Sequence, residues 1–144
     1  MTEQTYWDDI EIGHTISGSE PMTSQRLVMF AAASGDFYQI HYDVNIAKRN
    51  NLPDIIVHGV FKDMMVGKLL HGWVGEHGRI VTWENASRGM NTVDDQPLTV
   101  WGEVTEKYER DGECLVALNV GVRGKDGVEG SPGTATVVLP RRGA

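Results

Sequence analysis

Cysteine is nearly absent. Cys114 is the one thiol in the chain, so no internal disulfide can form, and the sequence fits a reducing compartment. Nothing beside it in sequence would lower its pKa, so it reads as a small buried hydrophobe rather than a nucleophile. Positive charge is also scarce: 13 Lys and Arg face 20 Asp and Glu, for a formal net charge of -7. A nucleic-acid binder needs a basic face to neutralise phosphates, and an anionic membrane attracts the same kind of face. Neither partner is expected. Long apolar runs are missing as well, none approaching the roughly 20 residues that cross a bilayer. The opening MTEQTYWDDIEIG has no basic start and no apolar stretch, so no signal peptide is expected and the protein is placed in the cytoplasm. Three catalytic signatures do not occur: no HExxH zinc helix, no paired cysteines and no GxSxG serine elbow.

What is present suffices for a folded core. With 144 residues and 40% apolar side chains, the chain is expected to form one domain over residues 1–144. MTSQRLVMFAAASG predicts a helix, with Thr23 or Ser24 as N-cap, Leu27, Phe30 and Ala31 at helical spacing, and Gly35 as the stop. The full capping box is absent, because Arg26 stands where Glu or Gln would be needed. DVNIAKRNN predicts a short surface helix from Asp43. Pro53 breaks it, and Ile55-Ile56-Val57 is extended in character.

From Gly59, GVFKDMMVGKLLHGWVG is the most apolar long window, and it predicts a largely buried helix through Val60, Met64, Leu69, Leu70 and Trp73. Two interior glycines, Gly67 and Gly72, weaken its propensity by about 1 kcal/mol each and suit close packing against a sheet. After Gly78 come RIVTWENASRGM, PLTVWGEVTEKYER, CLVALNVGVRGK and GTATVVLP, rich in Val, Thr and Trp. They predict four strands in an antiparallel meander, separated by DDQP, RDGE and KDGV, with both Asp-Gly pairs favouring tight hairpins. An earlier strand is expected near HTISGSE. One long apolar helix beside an antiparallel sheet is an α+β architecture, with the sheet wrapped around the helix.

Two histidines carry chemical interest. His41 lies in SGDFYQIHYD, five residues after Asp36, on the turn leaving the first helix. A carboxylate and an imidazole close in space can hold one water, and the imidazole exchanges protons near neutrality. The spacing is equally compatible with a turn aspartate and an ordinary loop histidine. His58 precedes Gly59 at the start of the apolar helix. A helix N-terminus presents free N–H groups, and a glycine there lets a carbonyl oxygen approach them as in an oxyanion hole; the same pair also fits a plain helix start. His14, His71 and His77 have no evident partner. A metal set from His41, Asp43 and His58 lacks any known ligand spacing and is not expected.

Taken together, FAAASGDFYQIHYDVNIAKRNNLPDIIVHG, residues 30–59, resembles the hydratase motif of MaoC-like dehydratases, the (R)-specific enoyl-CoA hydratases. That motif runs apolar helix, S-G-D, a short gap, I/L-H-x-D, and later a helix opened by H-G. The resemblance implies a hot-dog fold, with Asp36 and His41 as the catalytic pair and the Gly59 N–H as donor to a thioester carbonyl. Where the family commonly has Asn-Pro before Ile-His, this chain has Tyr38 and Gln39, with Phe37 ahead of them. Phe37, Tyr38, Ile40, His58 and Gly67 are therefore expected to shape the substrate pocket. Gly67 stands where some members carry a serine, which suggests room for a bulkier acyl group.

The activity implied is addition of water to a trans-2-enoyl thioester, or its reversal, as part of fatty acid metabolism. No cofactor is expected beyond the coenzyme A of the substrate itself. Its negative charges need cations, and Lys48, Arg49, Lys62, Lys68 and Arg88 are the candidates, with Lys48, Arg49, Lys62 and Arg88 favoured. The family resemblance further implies a homodimer or a heteromer with a related subunit. Two alternatives stand beside this reading: a hot-dog thioesterase using Asp63 on the central helix, and a non-catalytic thioester-binding subunit.

Overall fold

A computed structural model describes residues 3–93 and 97–143. Strand β1 (Thr15–Glu20) leads to helix α1 (Ser24–Ser34) and then, through a short 3-10 turn (Gln39–His41), to helix α2 (Val44–Arg49). Helix α3 (Gly59–Val74) follows, and then strands β2 (Arg79–Asn85), β3 (Leu98–Arg110), β4 (Glu113–Arg123) and β5 (Gly133–Val138). The five strands form one sheet in the order β1-β3-β4-β5-β2, and every pairing is antiparallel. Helix α3 lies against it, touching β1, β2, β3 and β4. The α+β architecture expected from the sequence is present.

The caps follow local chemistry. The Thr23 side chain accepts from the Arg26 N–H, and Gly35 ends α1 in the left-handed region at φ 79°. Asp43 caps α2, accepting from the Asn45 and Ile46 N–H groups. Between β3 and β4, Asp111 and Gly112 both have positive φ, 55° and 80°, the signature of a two-residue type I′ hairpin turn.

The expected meander needs correction. Strands β3, β4 and β5 do run as neighbours, but β2 leaves β3 and pairs with β5 at the far edge. Residues 86–97 join β2 to β3, and so long a connection does not force its strands together as a two-residue turn does. The DDQP turn falls mostly on residues 94–96, outside the described residues. The second Asp-Gly pair, at 126–127, closes a small excursion between Gly124 and Val128 rather than a hairpin joining β4 directly to β5.

The buried face of α3 is the expected one only in its second half, where Leu70 is fully buried and Leu69 and Trp73 pack against the core. Val60 and Met64 are 60% and 56% exposed, and Lys62, Met65, Val66, Gly67, Leu70 and Val74 face inward. The helix is apolar nearly all round, so its periodicity does not select a face; the sheet's position does. Met65, Val66, Leu70 and Val74 meet Leu98, Val100, Val104, Leu118, Val120 and Val137 in the core. Burying each such side chain contributes roughly 1.5–3 kcal/mol, which outweighs the two glycine penalties. No described helix is long and apolar enough to cross a membrane.

Candidate active site

The site is assembled where α1 ends and α3 begins. After the left-handed Gly35, the Asp36 N–H donates to Ser34 Oγ at 3.2 Å, and Asp36 Oδ1 accepts from the Tyr38 N–H at 3.2 Å. These bonds hold the carboxylate so that Oδ2 lies 3.8 Å from His41 Nε2. His41 is 7% exposed, at the end of the 3-10 turn. Its Nδ1 lies 2.7 Å from the Ile56 carbonyl oxygen. That oxygen can only accept, so Nδ1 carries a proton, and in the neutral form of the ring Nε2 is an acceptor facing Asp36. Ile56 is in turn tied back, its N–H donating to Ile40 O at 3.1 Å.

His58 lies directly behind this pair. Its ring stacks on His41 with centroids 3.8 Å apart and planes 20° from parallel, and Phe30 meets it edge-on at 4.9 Å. His58 Nε2 lies 3.2 Å from the Asp36 carbonyl oxygen, so this nitrogen donates and Nδ1 is left buried without a partner among the described residues. Burial is the main cause holding its pKa below the usual histidine value. The neighbouring His41 adds to this, and Asp36 offsets part of it. A neutral imidazole in that position supports the His41 ring without adding charge. His58 is 0% exposed, so it cannot line a pocket as the sequence suggested.

Gly59 opens α3, and its N–H donates to no described residue. No side chain caps this helix N-terminus. A Cβ on Gly59 would lie 2.5 Å from Ser87 Oγ and 3.4 Å from Ser87 Cβ, so a side chain there would push the Ser87 hydroxyl aside. Sequence reasoning missed Ser87, which carries no local signal and reaches the site only through the tertiary fold.

The remaining expected residues divide. Phe37 and Tyr38, which follow Asp36 in sequence, are both 57% exposed, and Tyr38 meets the His41 ring edge-on at 6.2 Å. Ile40 is half-buried. Gly67 gives no extra room: a Cβ there would lie 2.8 Å from the Trp83 ring, which already fills the space. Lys62 is not a surface cation. It is 1% exposed and donates to Gly89 O at 2.7 Å and to Asn91 Oδ1 and Gly130 O at 3.2 Å each. Burial lowers its pKa, against the pull of Asp63 and Glu129. Lys68 is exposed but paired with Glu20. Lys48, Arg49 and Arg88 are exposed and in no ion pair with a described residue, which leaves them able to meet an anion.

Asp63, the acid on which the thioesterase alternative rests, accepts a hydrogen bond from Ser131 Oγ at 3.0 Å. Asp43 is occupied as the α2 cap and is not free for a metal. Asp36, His41 and His58 do place one potential ligand atom each within 4.8 Å of one another.

An antiparallel sheet wrapped on one long helix, with an acid–imidazole pair at that helix's mouth, defines a hot-dog domain of the hydratase type. The family profile described as MaoC like domain matches residues 10–122, and the chain belongs to that family. Solved structures agree on the fold. The chain is similar to the (R)-hydratase from A. caviae involved in PHA biosynthesis, at 24% identity over 91% of this chain and 98% of that one, with TM-score 0.81. It is similar also to R-hydratase PhaJ1 from Pseudomonas aeruginosa, at 20% identity over 95% and 86% of the two chains, TM-score 0.82. A third is the ChsH1-ChsH2 complex from Mycobacterium tuberculosis, at 21% identity over 90% and 98%, TM-score 0.74. A comparison with curated proteins returns no match.

Proposed function

We propose that this domain adds water across the double bond of a trans-2-enoyl thioester, or removes it from the 3-hydroxyacyl thioester in reverse. The observation that carries the reading is His41 Nε2 facing Asp36 Oδ2 across 3.8 Å, with Nδ1 tied to the Ile56 carbonyl. With the ring neutral both atoms are acceptors, and one water between them can give a hydrogen to each. As that water's oxygen bonds to the β-carbon, one of its protons passes to the pair. The π electrons move toward the thioester oxygen, where the Gly59 N–H at the positive end of α3 stabilises the growing charge. The pair then returns a proton to the α-carbon, so the enzyme ends as it began and H–OH has been added. No further cofactor takes part in this scheme.

The thioester is carried by coenzyme A or an equivalent phosphopantetheine arm. Arg88, one residue beyond Ser87, with Lys48 and Arg49, supplies positive charge in an otherwise acidic molecule. A second hot-dog subunit, identical or related, completes the assembly. Strand β2 is a free sheet edge, and Val81 on it and Val60 and Met64 on α3 stay exposed. Incubation with crotonyl-CoA, reading loss of enoyl absorbance beside release of free thiol, tests the reading. Hydration without thiol release is expected; thiol release alone would transfer the domain to the thioesterases.

A further inference from the structure

The loop leaving β2 is held unusually firmly for an exposed segment. The Ala86 N–H donates to Pro132 O at 2.9 Å, and the Arg88 and Gly89 N–H groups both donate to Gly130 O at 3.1 Å. Gly89 O accepts from the buried Lys62 ammonium, which also holds Asn91 and Gly130. Ser87 sits between these anchors, exposed, and its hydroxyl makes no hydrogen bond to a described residue. That hydroxyl lies over the first residue of α3, 2.5 Å from where a Gly59 Cβ would be. Covalent geometry puts a Cβ about 2.5 Å from its own nitrogen, so Ser87 Oγ and Gly59 N are at most about 5 Å apart. One oxygen can accept two hydrogen bonds of about 2.9 Å only from donors within about 5.8 Å of each other, a limit this pair meets.

We propose that Ser87 is a catalytic residue of this site: its hydroxyl is the second donor, beside the Gly59 N–H, to the thioester carbonyl oxygen. This rests on the enoyl-thioester reading above and extends it. Two donors on one oxygen fix the carbonyl's direction and hence the distance of the β-carbon from the water. The Lys62 clamp explains why a lysine is buried there: it pre-orders the loop, so the hydroxyl is in place before the charge develops. The glycine at position 59 then has a specific cause, since any side chain would displace this donor.

The test uses Ser87→Ala and Ser87→Thr in the full chain, with crotonyl-CoA for turnover and cinnamoyl-CoA as a bound chromophore. Loss of one such donor lowers kcat by about 10²-fold, and Ser87→Ala is expected to do so with little change in KM, while Ser87→Thr recovers most of the rate. Carbonyl polarisation should red-shift the absorbance of bound cinnamoyl-CoA in the parent, and the band should move back toward its free value in Ser87→Ala. An alanine variant with parent kcat and parent spectrum overturns the Ser87 proposal and leaves the hydratase reading standing. So does one that loses melting temperature but not rate, because Ser87 would then only cap α3. A parent protein that neither hydrates crotonyl-CoA nor shifts the cinnamoyl spectrum overturns both.

Discussion

Replacing Gly67 by alanine separates two roles for one position. Alanine gains about 1 kcal/mol over glycine in a helix interior. Against that, the new Cβ would stand 2.8 Å from Trp83 Cη2 and 3.0 Å from Cζ3, about 0.6 Å and 0.4 Å inside ordinary contact. The indole cannot swing aside freely, because its Nε1–H donates to Asn85 Oδ1 and Asn85 Nδ2 donates to Ser131 O at 2.9 Å. Overpacking of this kind costs about 1–3 kcal/mol, so Gly67→Ala should be destabilising by about 0–2 kcal/mol. In a Trp83→Leu background the ring is gone, and the same change should stabilise by about 1 kcal/mol, giving a coupling of about 1–3 kcal/mol between the two positions. Guanidinium denaturation followed by circular dichroism measures all four proteins. A parent protein stabilised by Gly67→Ala would refute the packing argument. It would mean open space beside the helix, and the variant should then discriminate against long acyl chains instead.

Three further outcomes follow from the site. Asp36→Asn keeps an oxygen for the Tyr38 N–H and changes a half-exposed side chain, so the melting temperature should stay within about 1–2 °C. Crotonyl-CoA hydration by this variant should fall by about 10²–10⁴-fold, and retained activity would remove Asp36 from the chemistry. His58 has a native pKa below its unfolded value of 6.5. The unfolded chain therefore binds the proton first, and the contribution of this group is complete above 6.5 and lost as pH falls through 6.5 toward the lowered native value. Denaturation midpoints between pH 7 and 5 should drop less steeply for His58→Phe than for the parent; equal slopes would mean that burial does not hold His58 neutral. Lys62→Met removes a buried charge but strands Gly89 O and Asn91 Oδ1, and should cost about 1–3 kcal/mol with faster hydrogen exchange over residues 86–91. Unchanged exchange there would show that the lysine does not order the loop.

Features that depend on neighbours along the chain are legible in the local sequence. Thr23, Gly35 and Asp43 cap or end their helices because a side chain or a permissive φ acts within a turn, and Asp111-Gly112 turns β3 into β4 for the same reason. The spacing from Asp36 to His41 is also local, and the resemblance carried by residues 30–59 marked the pair before any coordinates did. Tertiary structure alone decided the rest. Val60 and Met64 lie outward because α3 is apolar on every side and the sheet chooses its face. Strand β2 crosses to β5 because its connection is too long to bind it to β3. Lys62 turned from surface cation to buried clamp because three acceptors from distant loops converge on it. His41's tautomer is set by the Ile56 carbonyl, and Ser87 reaches Gly59 through a loop pinned to residues 130 and 132. Such contacts join segments far apart in sequence, and burial and hydrogen-bond satisfaction over the whole fold select them; no local propensity encodes them.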